Sequence, residues 1–458
     1  VSLFGTDGIR GRFGQPPLDR ETVARLAAEL AATLREAPPA GVLREAPAVV
    51  LGGDTRESTP DLCAWLAEGL AAGGIEVRYA GVIPTPGVAY LTRALSAAAG
   101  VVVSASHNPY PDNGIKLFGA DGFKWSDEAE AALAARLEIR ATPRLAAGGP
   151  APPPAETALR DRYLDFLASA FVAANGAGAP PLAGLGVVLD AGNGAASSYA
   201  RPLFERLGAR VTLLHAAPDG RNVNLGCGST APAEMAARVV AEGADLGAAF
   251  DGDADRCIVA DERGEVRDGD AILFLWATAL ARDGALPGQR IVATSMSNLG
   301  LERALDAAGI GIVRCDVGDR WVVEALRREG LELGGEQSGH IVALSRATTG
   351  DGLLTALTVA HLRHRADRPL SAMLAPFRRY PQILVNIRVA RKAAFDSLPG
   401  VVAAQREVER ALGRDGRLVL RYSGTEPLAR VMIEGPEQGE VERLAERLAD
   451  AIRDAIPP

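Results

Sequence analysis

Lysine is almost missing from this 458-residue chain: of 49 basic residues only Lys116, Lys124 and Lys392 are lysines, and the rest are arginines. Where arginine is the default cation, a retained lysine points to a task that needs a compact or deprotonatable amine. Cysteine is also scarce. Cys63, Cys227, Cys257 and Cys315 lie far apart without a C-x-x-C pair, which argues against a disulfide framework or a zinc site and for a reducing compartment. No run of about 18 apolar residues occurs, which excludes an apolar transmembrane helix. The first residues show no basic stretch followed by an apolar one, so a secretory signal is not expected and a cytoplasmic location is. A formal net charge of −8 leaves no basis for an extended nucleic-acid surface. Neither a nucleic acid nor a membrane is therefore expected as a partner, and a small anionic substrate requires cations gathered locally.

What is present is a long chain, 48% hydrophobic, with a mean hydropathy near zero, enough for three or four domains. Asp19 can cap a helix in which Val23, Leu26, Ala27, Leu30 and Leu34 recur at helical spacing. Strands follow at Ala48–Leu51, Ile75–Tyr79 and Val101–Val103, with a helix through Leu62–Leu70 between the first two. A Pro-, Ala- and Gly-rich stretch from Ala141 to Ala155 reads as a linker. A second α/β pattern runs from the strand Gly186–Leu189 to the strand Leu246–Phe250, and a third carries strands at Ile291–Ala293 and Ile312–Val313. The tail is of another kind: strand, helix, two strands and a final helix, an α+β order. The expected fold is thus α/β, with three similar α/β domains of mixed, mostly parallel sheets over 1–150, 151–252 and 253–370, and a smaller α+β domain over 371–458.

Four segments carry candidate chemistry. Ser104-Ala-Ser106-His107-Asn108-Pro109 directly follows an apolar strand, and strand ends in α/β sheets are where ligands bind. Asn113-Gly114 then predicts a turn, with Lys116 ten residues after Ser106. The G-x-S-x-G elbow of hydrolases is absent, and adjacent Ser106 and His107 point to opposite faces of an extended segment. The alternative is that both simply cap a turn.

Asp251-Gly-Asp253-Ala-Asp255-Arg256 follows another apolar strand. Three alternating carboxylates repel one another unless a cation lies between them. Residues i and i+2 of a strand are about 6.5–7 Å apart, so a hard ion with oxygens at about 2.1 Å needs the segment to curl, which Gly252 permits. An EF-hand is excluded because Arg256 stands where the sharp-turn glycine belongs and no helix precedes the loop. Magnesium fits better than calcium, with coordination left open for a phosphate oxygen, and the alternative is a solvated acidic turn.

Gly334-Gly-Glu336-Gln-Ser338-Gly-His340 sets hydrogen-bonding side chains among glycines that let a ligand approach closely. The alternative for this loop is a plain turn. Arg421-Tyr-Ser423-Gly424-Thr425-Glu-Pro427, with Arg430 beyond, offers two guanidinium groups, two hydroxyls and a freed backbone amide, the makings of a phosphate clamp. Its alternative is a surface turn with arginines.

Taken together and in this order, the four segments resemble the serine, metal, sugar and phosphate loops of the α-D-phosphohexomutase family, over nearly the whole chain. The resemblance implies four domains around a central cleft, the last closing over the substrate. It implies an intramolecular phosphotransferase in which Ser106 is a phosphoserine, with magnesium held by Asp251, Asp253, Asp255 and the serine phosphate. It casts Lys116 as general acid or base, with Arg10, His107 and His340 close by. Glu336 and Ser338 would read the sugar's hydroxyls, and Arg421, Ser423, Gly424, Thr425 and Arg430 would hold phosphate. The implied partners are a hexose phosphate and a sugar 1,6-bisphosphate primer, and the expected assembly is a monomer or homodimer.

Several segments resemble the bacterial branch of the family that acts on glucosamine phosphates: Phe4–Gly11, Asn222–Ser229, Val317–Arg320, Gly334–His340 and Thr349–Gly352. This implies interconversion of glucosamine 6-phosphate and glucosamine 1-phosphate, upstream of peptidoglycan precursors. The phosphoglucomutase/phosphomannomutase branch is the alternative. Two residues depart from the branch pattern: Ala254, where glycine is commoner, and Tyr422, where lysine is commoner.

Overall fold

The computed structural model describes residues 3–5, 7–36, 47–139, 150–175, 180–423 and 427–457, without the side chains of 138–139 and 173–175. It divides into two units, Val1–Met296 with Ile312–Leu374, and Ser297–Gly311 with Ala375–Pro458.

The first unit carries three sheets. β1 (Ile9–Arg12), β2 (Ala48–Gly53), β3 (Glu76–Val82), β4 (Ala99–Val103) and β5 (Asp112–Gly119) pair in the order β1-β5-β4-β2-β3. β2 is parallel to β3 and β4, while β5 runs against both of its neighbours. β6 (Gly186–Asp190), β7 (Arg210–Leu214), β8 (Leu246–Phe250), β9 (Cys257–Asp261) and β10 (Val266–Arg267) repeat that plan as β10-β9-β8-β6-β7, with β9 as the reversed strand. β11 (Arg290–Thr294), β12 (Gly311–Cys315), β13 (Leu333–Gly335) and β14 (Ile341–Ala343) form a four-stranded version, β12-β11-β13-β14, with β13 parallel to β11 and antiparallel to β14.

The strands β2, β4, β6 and β8 are buried at every residue, as expected for sheets covered on both faces. Helix Arg20–Glu36 buries Val23, Leu26, Ala27, Leu30 and Leu34 on one stripe, and the Thr22 amide donates to Oδ1 of Asp19 at 3.0 Å, an N-cap bond. A buried leucine contributes about 1.5–3 kcal/mol, so this stripe rather than helix propensity fixes the element.

Two sequence expectations are modified. Asn113-Gly114 is not a turn. Both residues lie inside β5, where Asn113 pairs with Gly11 and Gly114 with Arg10. Glycine is required there by close approach, since a Cβ would stand 2.7 Å from the carbonyl oxygens of Ile9 and Ser104. The division expected at residue 252 falls between β8 and β9, which pair along their whole length, so that sheet runs on to Arg267. Of the expected linker, 141–149 lies outside the described residues, and 150–155 is neither helix nor strand.

The second unit has the predicted order. β15 (Gln382–Arg388), β16 (Arg417–Tyr422) and β17 (Leu428–Glu434) form the antiparallel sheet β15-β17-β16. Helices Pro399–Leu412 and Gln438–Ala455 bury Val401, Val408, Leu444, Leu448 and Ile452 against Ile387, Val431 and Ile433. Among the described residues no helix is long and apolar enough to cross a membrane.

Candidate active site

The three shared sheet plans give the serine, carboxylate and glycine-rich loops one common address. Each connects the last parallel strand to the reversed one: β4 to β5, β8 to β9, and β13 to β14. They leave the carboxyl ends of parallel strands, where α/β sheets bind ligands, and in the first unit they meet.

Ser106 is 1% exposed and has φ 52, a left-handed conformation rare for a side chain with a Cβ. Its Oγ donates to Oδ2 of Asp251 at 2.5 Å and stands 3.4 Å from Nδ1 of His107. The conformation is held from beneath. Arg56, fully buried, donates through Nε to Asp54 at 2.8 Å, through Nη1 to the carbonyls of Pro109 and Asp112, and through Nη2 to those of Ser106 at 2.9 Å and Asn108 at 2.8 Å. All five guanidinium donors are used. Asp54 in turn accepts from Ser104 Oγ, which accepts from the Ser106 amide. Asn224 adds a bond to the Ser106 carbonyl at 2.9 Å.

Asp251, Asp253 and Asp255 each offer an oxygen within 4.8 Å of the others, and all three are buried. Asp251 has both oxygens engaged with protein, Oδ2 with Ser106 Oγ and Oδ1 with the Arg256 amide at 3.2 Å, and Asp253 and Asp255 have one each. Oδ2 of Asp253 accepts from Lys116 Nζ at 2.9 Å and Thr85 Oγ1 at 2.6 Å, and Oδ2 of Asp255 lies 3.4 Å from Lys116 Nζ. Oδ1 of Asp253 and Oδ1 of Asp255 are buried with no hydrogen-bond partner among the described residues. Two orphaned anionic oxygens at a shared centre fit a divalent cation with oxygen preference.

The electrostatics agree. Burial, with Asp255 and Asp253 alongside, pushes the Asp251 carboxyl well above the usual range. Burial also works against charge on Asp255, but Lys116, His340 and Arg256 override it and hold that carboxyl well below. Lys116 is 1% exposed. Burial disfavours its charge, yet Asp253, Asp7 and Asp255 hold the ammonium above the ordinary lysine range.

A cleft of about 380 Å³ opens over these groups, lined by Asp7, Arg10, His107, Asp255, Glu336 and His340 among others. Arg10 pairs with Asp7 at 2.5 Å, and its buried Nη1 has no partner among the described residues. The glycine-rich loop is a tight hairpin in which the Glu336 amide donates to His340 O and the Gly339 amide to Glu336 O, both at 3.0 Å. Glu336 accepts from the Gly318 amide at 2.9 Å and faces Ser338 Oγ at 3.4 Å. His340 accepts at Nε2 from the Gly350 amide at 2.9 Å, which sets its ring proton on Nδ1, 3.7 Å from Asp255.

Arg421, Ser423 and Arg430 belong to the second unit. Arg421 lies directly opposite Arg430 across the β16–β17 ladder, and like charges in such a pair repel unless an anion is shared between them. The Ser423 carbonyl accepts from Lys392 at 2.6 Å, so the third lysine also reaches a candidate loop. Gly424 and Thr425 lie outside the described residues.

The sequence reading missed several participants. Asp7 pairs with Lys116 at 3.3 Å and also with Lys124, and Lys124 pairs with Asp319. Asp7, Asp319 and Asn224 sit in segments that carried the family resemblance, which was their only signal. Arg56 is one arginine among many and Thr85 opens a helix, so neither had one.

Three α/β sheets of one plan, a serine beside a buried carboxylate triad and an antiparallel C-terminal unit define a phosphohexomutase. Family models for the phosphoglucomutase/phosphomannomutase α/β/α domains I, II and III match residues 1–143, 161–264 and 268–380, and that for the C-terminal domain matches 384–451. The chain is 47% identical to the phosphoglucosamine mutase of Solibacter usitatus over 452 residues, covering 98% of each. It is 46% identical to that of Moorella thermoacetica, over 96% of this chain and 97% of the relative. A phosphoglucomutase/phosphomannomutase family protein from Burkholderia thailandensis superposes with a TM-score of 0.78 at 25% identity, covering 100% of this chain and 98% of that one. The N-acetylphosphoglucosamine mutase of Aspergillus fumigatus, solved with GlcNAc-6P and magnesium, shares the fold at a TM-score of 0.64 and 19% identity, over 99% and 95% of the two chains. The chain belongs to the phosphoglucomutase/phosphomannomutase family, and within it to the phosphoglucosamine mutases: it is an isomerase-class intramolecular phosphotransferase.

Proposed function

We propose that the enzyme interconverts glucosamine 6-phosphate and glucosamine 1-phosphate, a cytoplasmic bacterial step toward amino-sugar polymers, with Ser106 as the phosphoryl carrier. The observation that carries the proposal is the meeting of Ser106 Oγ, 2.5 Å from Asp251, with a triad in which Oδ1 of Asp253 and Oδ1 of Asp255 have no partner among the described residues.

Asp251, Asp253 and Asp255, with an oxygen of the serine phosphate, would hold magnesium, which when bound offsets charge on the transferring phosphoryl group. In the forward half-reaction the Ser106 Oγ–P bond breaks and a bond forms from phosphorus to the free sugar hydroxyl. The hydroxyl proton passes to a basic group of the cleft, and Lys116, whose ammonium the surrounding carboxylates hold charged, is the candidate general acid toward Ser106 Oγ as its bond to phosphorus breaks. The sugar 1,6-bisphosphate then turns over and returns its other phosphoryl group to Ser106 by the same chemistry reversed. Arg10 supplies positive charge, and His107 and His340 hydrogen bonds, around the moving group. Glu336 and Ser338 would bind the sugar hydroxyls, and Arg421, Ser423, Gly424, Thr425 and Arg430 the phosphate not reacting. A sugar bisphosphate would prime enzyme that lacks the serine phosphate.

The test is kcat/KM for glucosamine 6-phosphate against glucose 6-phosphate and mannose 6-phosphate, with magnesium and a bisphosphate primer. A preference of about a hundredfold for the amino sugar, roughly 2.7 kcal/mol of transition-state binding, is expected. Equal or faster rates on the neutral sugars would assign phosphoglucomutase/phosphomannomutase activity instead.

A further inference from the structure

A second group of metal-ligating side chains lies outside the cleft. Asp190 ends β6, His215 follows β7, and Cys227 sits in the loop before helix Ala233–Glu242. One ligand atom from each falls within 4.8 Å of the other two. Asp190 and Cys227 are both 0% exposed.

The donors are already oriented. The Gly192 amide donates to Oδ1 of Asp190 at 2.9 Å and the Gly228 amide to Oδ2 at 3.0 Å, which fixes the carboxylate plane. His215 turns Nδ1 inward, 3.1 Å from Asp190 Oδ2, yet that buried nitrogen makes no hydrogen bond among the described residues. Its other nitrogen, Nε2, faces Glu234 at 3.3 Å. A carboxylate on the outer nitrogen of an imidazole is the arrangement that fixes a metal-binding histidine and raises its basicity. The Cys227 thiol has only a weak contact, with Asn193 Nδ2 at 3.8 Å.

We propose that Asp190, His215 and Cys227 form a second cation site, taking a borderline-soft divalent ion of the zinc class. Thiolate, imidazole and carboxylate are the zinc donor set, and alkaline-earth ions do not favour sulfur. Donors around tetrahedral zinc stand about 3.5 Å apart, and since no pair here is wider than 4.8 Å, closing to that spacing takes at most about 1.3 Å of side-chain movement. Asp190 and a Cys227 thiolate balance the ion's two charges, and the thiol proton is released on binding. The scattered cysteines argued against zinc because the ligands come from the end of β6 and from two separated points of the connection after β7, which no linear spacing announces.

The site has a structural consequence. The Cys227 loop also carries Asn224, which donates to the Ser106 carbonyl, and the Asn193 amide donates to His215 O at 2.6 Å. A bound ion would tie that loop to the ends of β6 and β7, underneath the serine.

The experiment is titration of the metal-stripped full chain with cobalt(II), followed by near-ultraviolet thiolate-to-cobalt charge transfer. The aspartate triad holds no sulfur, so cobalt bound there contributes nothing to that band. The expected result is a band that saturates at one equivalent and is bleached by zinc. It should vanish in Cys227→Ser, persist in Cys315→Ser, and require at least tenfold more cobalt in His215→Gln, whose partly exposed ring can change without disturbing the core. No band in the parent chain overturns the proposal. So does a band unaltered in His215→Gln, and that variant decides the matter if Cys227→Ser fails to fold.

Discussion

Arg56 joins four carbonyls and one carboxylate around the serine loop, and its side chain is wholly excluded from water. A lysine has three donors in place of a planar fork of five, so Arg56→Lys loses at least two of these five hydrogen bonds. The expected cost is about 3 kcal/mol of stability, read as a lowered melting temperature, with kcat down at least tenfold because the left-handed Ser106 loses its support. Ala254 illustrates the reverse case. It has φ 55 and is fully buried, which gives the physical reason why glycine suits this position and why alanine is tolerated at a cost of about 1–2 kcal/mol. Ala254→Gly should therefore keep turnover and melting temperature at or slightly above the parent. Ala254→Val, β-branched in a left-handed conformation, should lower the melting temperature and weaken magnesium binding more than tenfold, measured by titrating activity with the ion. Retained magnesium affinity in the valine variant would disconnect that backbone conformation from the triad.

At the scale of elements, three loops at one topological position make the first unit's site, and close backbone packing keeps them together. The Cys257 amide donates to Gly339 O at 3.0 Å, and Gly339 has φ +91 with room for no Cβ, which would stand 2.2 Å from the Cys257 carbonyl. Gly339→Ala must push the hairpin away from β9. It should raise KM for the sugar phosphate more than tenfold while leaving magnesium affinity intact, and equal losses in both would contradict a specific role in sugar binding. In the second unit, Asn298 caps helix Leu299–Ala307 through the Gly300 amide, exchanges bonds with the Tyr380 backbone and donates to the buried Glu434 at 3.2 Å. Asn298→Ala should cost about 2–4 kcal/mol, seen as earlier loss of protection from hydrogen exchange in 375–457 than in 47–139. The apolar strands β2, β4, β6 and β8 were legible because each is a short apolar run that ends at a glycine or a polar residue. β5 was not, because Asn113-Gly114 carries the signature of a turn and only the neighbouring β1 explains the glycine. β13 and β14, three residues each, are too short for any periodicity.

On the scale of the whole molecule, the candidate residues divide between the units: serine, triad, lysine and sugar loop in one, the facing arginines in the other. Segment by segment the sequence revealed the chemistry, since serine, alternating aspartates and a rare lysine are conspicuous types. It did not reveal the supporting network of Asp7, Asp54, Arg56, Thr85 and Asn224, whose roles exist only when distant loops meet. Arg421→Ala should raise KM at least tenfold while leaving magnesium affinity unchanged, and a changed magnesium affinity would mean the two sets of residues are not separable. The central claim is that Ser106 gives its phosphoryl group to a sugar hydroxyl and not to water. The most direct measurement is a single turnover of enzyme carrying radiolabelled phosphoserine with excess glucosamine 6-phosphate and magnesium. The label should pass into sugar phosphates, with bisphosphate detectable on the way, and Ser106→Ala should accept no label at all. Release of the label as inorganic phosphate, or labelling of the alanine variant, would contradict the account.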